Sequence, residues 1–192
     1  MRNIQTLGFA AILAVSISGL AFAAGGGTGG GGTRGGTTSS GGDSGNASPS
    51  AKDCKKGEVW DKKKQKCVKV ESGVLPDKEL YAQGRALAKE GNYDWALEVL
   101  AAIRNQNDPF VLNYIGYSNR KAGRLEIGIS FYRKALAIDP NFVLAREYLG
   151  EGYVAAGRID LAKVELAEIA KRCGTKCEEY KDLSKAIATA VN

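Results

Sequence analysis

The chain of 192 residues predicts an all-α fold: three helical hairpins stacked side by side and closed by one further helix. Two observations carry this prediction. Three stretches fall into register on their glycines, and each places apolar residues at helical spacing on both sides of a turn. The first stretch holds Leu80, Gly84, Leu87, Gly91, Tyr93, Ala96 and Leu100; the second holds Leu112, Gly116, Asn119, Gly123, Leu125, Gly128 and Tyr132. In the third the same places fall to Arg146, Gly150, Tyr153, Gly157, Ile159, Ala162 and Leu166. Gly116 and Gly150 are 34 residues apart, Gly84 and Gly116 are 32 apart. A repeat of this length is one supersecondary unit that buries its apolar face only against its neighbours.

The elements follow in chain order. Residues 1–23 read as a secretory signal: Arg2 gives a positive start, an apolar stretch runs from Leu7 to Phe22, and Ala21-Phe22-Ala23 offers the small residues of a cleavage site. The alternative is a membrane anchor, but about 16 apolar residues fall short of the roughly 20 a span needs, and glycine follows instead of a basic cluster. Cleavage after Ala23 is therefore expected, with no transmembrane anchor left behind. Residues 24–51 are Gly, Ser and Thr with twelve glycines and almost no apolar side chains. Such a composition buries too little surface to offset its ordering entropy, and predicts a flexible, disordered linker.

Residues 52–69 form a short basic module bounded by Cys54 and Cys67. It carries eight lysines against Asp53, Glu58 and Asp61, whereas residues 70–192 are balanced at seventeen basic and seventeen acidic side chains. The chain's net charge of +6 therefore comes mostly from this one loop, and the helical region shows no bias toward nucleic acid.

In each repeat unit of residues 77–174, an apolar helix face of about 14 residues ends at a glycine able to turn left-handed, and a second amphipathic helix follows. Small residues in the first helix (Gly84, Gly116, Gly150) and early in the second (Ala96, Gly128, Ala162) let the two approach closely. Asp108-Pro109 and Asp139-Pro140 end their units, with Asp expected to cap the next helix and Pro to sit where its missing N–H costs nothing. A capping helix is expected over residues 175–192, about Thr175 to Ala190, covering an apolar face formed by Leu161, Val164, Leu166 and Ile169.

These residues resemble the tetratricopeptide repeat (TPR) family. Ala135-Leu-Ala-Ile-Asp-Pro-Asn-Phe142, followed by Tyr148-Leu-Gly-Glu-Gly-Tyr153, is similar to its consensus. The resemblance covers residues 77–174 and implies a right-handed superhelix of helix pairs with a concave groove. It also implies that ligands lie on the exposed face of each repeat's first helix. By register those positions are Lys78, Tyr81, Arg85 and Lys89; then Phe110, Asn113, Tyr117, Arg120 and Lys121; then Leu144, Glu147, Glu151 and Val154. The face runs from basic and aromatic to acidic and apolar. The Lys/Asn set with which some family members hold a C-terminal carboxylate is not reproduced. The partner implied is a protein or peptide segment, and the resemblance is to exported bacterial members, which places the protein in the periplasm or outside the cell.

The chemistry available is narrow. The chain has no histidine, which excludes a Ser-His-Asp triad, a Cys-His dyad and His-ligated zinc or haem. Four cysteines allow three pairings; proximity in an oxidising compartment favours Cys54 with Cys67 and Cys173 with Cys177. Neither spacing matches a zinc knuckle or a Cys-x-x-Cys redox motif, so no metal or cofactor is expected. Glu178 and Glu179 are sequence neighbours that cannot face each other on a helix, and no phosphate loop or nucleophile elbow occurs. The reading is a non-enzymatic interaction module. The rival is binding of an anionic envelope polysaccharide by Lys55, Lys56, Lys62, Lys63, Lys64 and Lys66 with Trp60 stacking on a sugar; the plainer alternative is a solvated loop.

Overall fold

A computed structural model describes residues 53–191. The expected signal and the Gly-rich linker lie outside the described residues. The described residues begin with a hairpin, β1 (Glu58–Asp61) paired antiparallel with β2 (Lys66–Lys69), in which Val59 faces Val68 and Trp60 faces Cys67. A Cys54–Cys67 disulfide, Cα atoms 5.6 Å apart, ties its base. At the turn, the Asp61 carboxylate accepts the backbone N–H groups of Lys63 and Lys64 at 2.9 and 3.0 Å and meets the Lys64 ammonium at 3.1 Å. The Lys64 backbone bond is the main reason its acidity is held stronger than usual.

Seven helices follow: α1 (Asp77–Lys89), α2 (Tyr93–Ala101), α3 (Pro109–Lys121), α4 (Leu125–Ile138), α5 (Val143–Ala155), α6 (Ile159–Cys173) and α7 (Glu178–Ala190). They pack as three antiparallel pairs, α1 with α2, α3 with α4 and α5 with α6, while α7 lies on α5 and α6. Gly91, Gly123 and Gly157 turn each pair with φ of +88°, +84° and +70°, as the register requires. Leu80, Leu87, Val99, Leu100, Tyr132 and Ile169 are completely buried between the layers.

The β-hairpin shares this core. Val59 is fully buried with Trp95 and Leu80 in one apolar cluster. The Trp95 indole donates to the Glu58 carbonyl at 3.0 Å, and the Gln83 amide accepts from the Trp60 N–H at 2.8 Å and donates to its carbonyl at 2.9 Å. The free edge of β1 thus has its backbone groups satisfied by α1 and α2.

Several details depart from the sequence reading. The first repeat is two residues short, and α2 is correspondingly only 9 residues long; Gln106 closes its end by donating to the carbonyls of Leu100 and Ile103 at 3.0 and 2.6 Å. Asp108 caps α3 as expected, accepting from Phe110 and Val111 N–H groups with Pro109 in the first turn. Asp139 does not cap α5. Its carboxylate accepts from the Asn141 N–H at 2.9 Å, and the helix starts only after Phe142. Arg146, standing where the other repeats carry Leu80 and Leu112, is accommodated by an ion pair with Glu165 at 2.8 Å and by the Pro140 carbonyl. Neighbouring pairs are also keyed at their rims: Arg124 bonds Asp94 at 2.9 Å and Arg158 bonds Glu126 at 2.7 Å, the same link one repeat on. Exposed pairs of this kind contribute little stability individually.

The capping helix starts at Glu178, three residues later than expected, because Gly174, with φ of +78°, ends α6 and the Cys173–Cys177 disulfide spans the turn. The face it covers also differs. Leu183, wholly buried, is seated on Gly150 so closely that a Cβ there would overlap both of its methyls. Ile169 and Ile187 complete the contact, whereas Leu161 and Val164 point to solvent at 46% and 55% exposure. The reason is geometric: α7 follows the groove formed by α5 and α6, and those two side chains lie on the outer face of α6.

Candidate functional site

The helices α1, α3 and α5 lie next to one another, with α7 beyond α5. Along one face their side chains enclose a groove of about 340 Å³. Its floor is aromatic. Tyr114, Tyr117 and Tyr148 follow one another with ring centroids 5.9 and 5.2 Å apart, and Tyr132 lies 6.0 Å from Tyr148. Burial pushes the Tyr148 phenol well above its ordinary acidity range, so it stays neutral and available for hydrogen bonding.

One wall is basic. Arg85 donates to the Tyr114 hydroxyl at 2.8 Å, and Lys89 donates to the Tyr148 hydroxyl at 2.7 Å. The Lys89 ammonium also lies 4.8 and 5.3 Å from the centroids of Tyr117 and Tyr148, a cation–π arrangement. Arg120 stacks on the same two rings, donates to the Tyr132 hydroxyl and pairs with Glu151 at 2.5 Å.

The opposite wall is acidic: Glu147 and Glu151 come from α5, Glu178, Glu179 and Asp182 from α7. Glu147 is 6% exposed, and its carboxyl makes no hydrogen bond or ion pair among the described residues. Burial, followed by the nearby Glu151, Asp182 and Glu179 carboxylates, pushes its pKa up to about 8, with Lys89 acting weakly in the opposite direction.

The expected ligand face is thus divided. Arg85, Lys89, Tyr117, Lys121, Leu144, Glu147 and Glu151 line this groove. Lys78, Tyr81 and Phe110 line a separate cavity of about 360 Å³ beside the loop before α3, and Val154 lines a third with Glu151 and Asp182. Asn113 is a correction. It is completely buried, with neither amide atom hydrogen-bonded, because α3 is enclosed by its neighbours and every residue from Val111 to Asn119 is buried. Glu147 and Tyr117 are likewise more enclosed than an exposed face implies, at 6% and 9%. The register overlooked Tyr114 and Tyr148, although their 34-residue spacing marks them as equivalent places, and it assigned no ligand role to the cap.

In the basic hairpin, Lys55, Lys56, Lys62, Lys63, Lys64 and Lys66 are all exposed, while Trp60 is half-buried against the core with its main chain held by Gln83. Both expected disulfides are present, so the only cluster of metal-ligand atoms among the described residues, Cys173, Cys177 and Glu179, has its sulfurs tied in a bridge. No described helix is long and apolar enough to cross a membrane.

Solved structures with the same arrangement are TPR domains. The first TPR of Spaghetti (RPAP3), bound to the HSP90 peptide SRMEEVD, superposes with a TM-score of 0.53 at 15% identity, covering 64% of this chain and 98% of that one. The fold is a TPR-type stack of helical hairpins. The Sgt2 TPR domain from Aspergillus fumigatus (TM-score 0.53, 16% identity, 62% and 82% coverage) is similar. So is the Yersinia enterocolitica type III secretion chaperone SycD in complex with a peptide of the translocator YopD (0.52, 18%, 62% and 94%). At these identities the likeness concerns the TPR fold alone. No protein-family model matches the chain, and no curated protein does.

Proposed function

We propose that the protein is a non-enzymatic TPR interaction module that holds an extended peptide segment of a partner protein in the groove across α1, α3 and α5, and that it does so outside the cytoplasm. The observation that carries this reading is the groove: an aromatic floor with opposed charged walls, open along the face where the α1, α3 and α5 side chains converge. Flat phenol rings give contact area at small entropic cost, and the hydroxyls orient a polar backbone. The RPAP3 and SycD domains named above are each described in complex with a peptide, which supports the same use of this fold. The site of action rests on the signal-like residues 1–23 and on the two disulfides, which persist in an oxidising compartment.

Panning a displayed random-peptide library against the full chain tests this. Recovered peptides should bind the chain, lose affinity for a Lys89→Glu/Lys121→Glu variant, and be indifferent to replacing Lys62, Lys63, Lys64 and Lys66 with Gln. Recovery of no peptide, or of peptides indifferent to the groove variant, refutes the reading. The polysaccharide rival draws on the six exposed lysines alone, since Trp60 is engaged with the core. Lysine substitution, not deletion of the hairpin, tests it, because Val59 belongs to the common core.

A further inference from the structure

Four carboxyl groups at the α5–α7 end of the groove, Glu147, Glu178, Glu179 and Asp182, face the same space and none forms an ion pair among the described residues. Glu151, the fifth, is neutralised by Arg120. Glu147 adds a second and independent observation. It is more than nine-tenths buried, lines the groove, and has no partner of its own. Its carboxyl opens only onto the groove and is largely desolvated, so it is costly to ionise, and the α7 charges beside it raise that cost. Both are relieved by one event, the arrival of a cation.

We infer that this end of the groove is a subsite for a lysine or arginine side chain of the bound peptide, held between Glu147 and the α7 carboxylates. The inference rests on the peptide-binding reading above and specifies its ligand. Three features select an organic cation over a metal ion. No three of these carboxylates bring ligand oxygens within 4.8 Å of one another, so there is no coordination cage. The space is wide enough for a planar or extended head group with its alkyl stem. And Lys89, which reaches Tyr117 and Tyr148 from the other wall, shows that the groove is of a size that takes an alkylammonium group. With Arg85, Lys89 and Lys121 on the opposite wall, the groove is electrostatically polar from end to end. A peptide with an acidic residue toward α1 and a basic one toward α7 fits that polarity, and the reverse orientation sets like charges against each other.

The test is panning of the displayed library in parallel on the full chain, on a Glu179→Gln/Asp182→Asn variant, and on a Glu179→Lys/Asp182→Lys variant. Both altered positions are on the outer helix α7, and each variant should keep its helix content, checked by circular dichroism. The full chain should enrich peptides carrying Lys or Arg. Their affinity should fall by about tenfold in the neutralised variant, the sum expected for two partly exposed charges, and the reversed variant should enrich acidic peptides instead. Recovery of groove-dependent peptides with no basic preference, or with a preference unchanged by either variant, overturns the subsite and leaves the peptide groove standing. Recovery of no peptide overturns both. Binding of Ca²⁺ alone that is abolished in the neutralised variant and displaces the basic peptides would reassign the carboxylates to a metal.

Discussion

Replacing Gly128 with Ala should lower stability, although the same change in most helices raises it. Gly128 lies early in α4, where that helix crosses α3. A Cβ at this position would stand 2.8 Å from the Arg120 Cβ, 2.8 Å from the Gly116 carbonyl oxygen and 3.0 Å from the Arg120 N. Ordinary heavy-atom contacts lie at about 3.5–4.0 Å. Two of the three obstructing atoms are backbone, so no rotamer change relieves the overlap and the helices must move apart. The helix-propensity gain of Ala over Gly is about 1 kcal/mol, and overpacking a tight contact costs typically about 1–3 kcal/mol, more where backbone must shift. The net expectation is a loss of about 1–2 kcal/mol, or roughly 3–8 °C in thermal midpoint for a domain of this size. Gly152, in α5, is the matched control: its Cβ would meet only side chains, the Ile129 Cγ1 at 3.1 Å and the Arg120 Cδ at 3.6 Å, and these can give. Gly152→Ala should be neutral or gain up to about 1 kcal/mol. Thermal melts followed by circular dichroism separate the two. If Gly128→Ala melts at or above the unmodified protein, or both variants fall equally, the account of the α3–α4 contact is wrong.

Three further outcomes follow from the same geometry. For Glu147, the unfolded carboxyl releases its proton near pH 4.5 and the folded one only at about 8. Between those values the folded state holds a proton that the unfolded state has lost, so stability falls as pH rises through that window and levels off above it. Glu147→Gln should flatten that slope in melts taken from about pH 5 to about pH 9 and add roughly 1–3 kcal/mol at the upper end; an unchanged slope counts against the burial argument. Replacing Cys173 and Cys177 with Ser removes a very short loop closure, worth about 1–2 kcal/mol on the chain-entropy scale and local in effect. Hydrogen exchange should quicken across residues 178–190 and stay unaltered in 77–89, and uniform quickening would contradict this. Gln83→Ala leaves the Trp60 N–H and carbonyl without their partner, which should cost about 1–3 kcal/mol and raise exchange at Trp60 before any residue of α3.

The repeat architecture was legible because it depends on local periodicity. Leu80, Leu87, Gly91, Ala96 and Leu100 sit at helical spacing around one turn, and each became core or turn as the register required, with Tyr93 packed against that core half-buried. Arg146 shows where such a register loses information. It holds a core place in the pattern, and Glu165, nineteen residues on and across the α5–α6 turn, together with the Pro140 carbonyl, makes that placement tolerable. Asp139 and Asp108 carry the same Asp-Pro signature, yet one caps a helix and the other makes a turn, because the choice lies in where the following chain is packed.

The groove was half legible for a related reason. A repeat pattern names the residues on one helix face, so Arg85, Lys89, Tyr117 and Glu151 could be placed on it. It does not say how deeply the neighbouring helix covers them, and so the burial of Asn113 and Glu147 was hidden. Nor does it extend past the last repeat. Glu178, Glu179 and Asp182 belong to no repeat position; they reach the groove because Gly150 lacks a side chain and Leu183 settles against it. The absence of one methyl group on α5 therefore sets how close α7 lies to the tyrosine floor, and with it the charge a ligand meets there. In a stack of this kind the repeats provide the surface, and the non-repeating cap contributes most of the acidity at its far end.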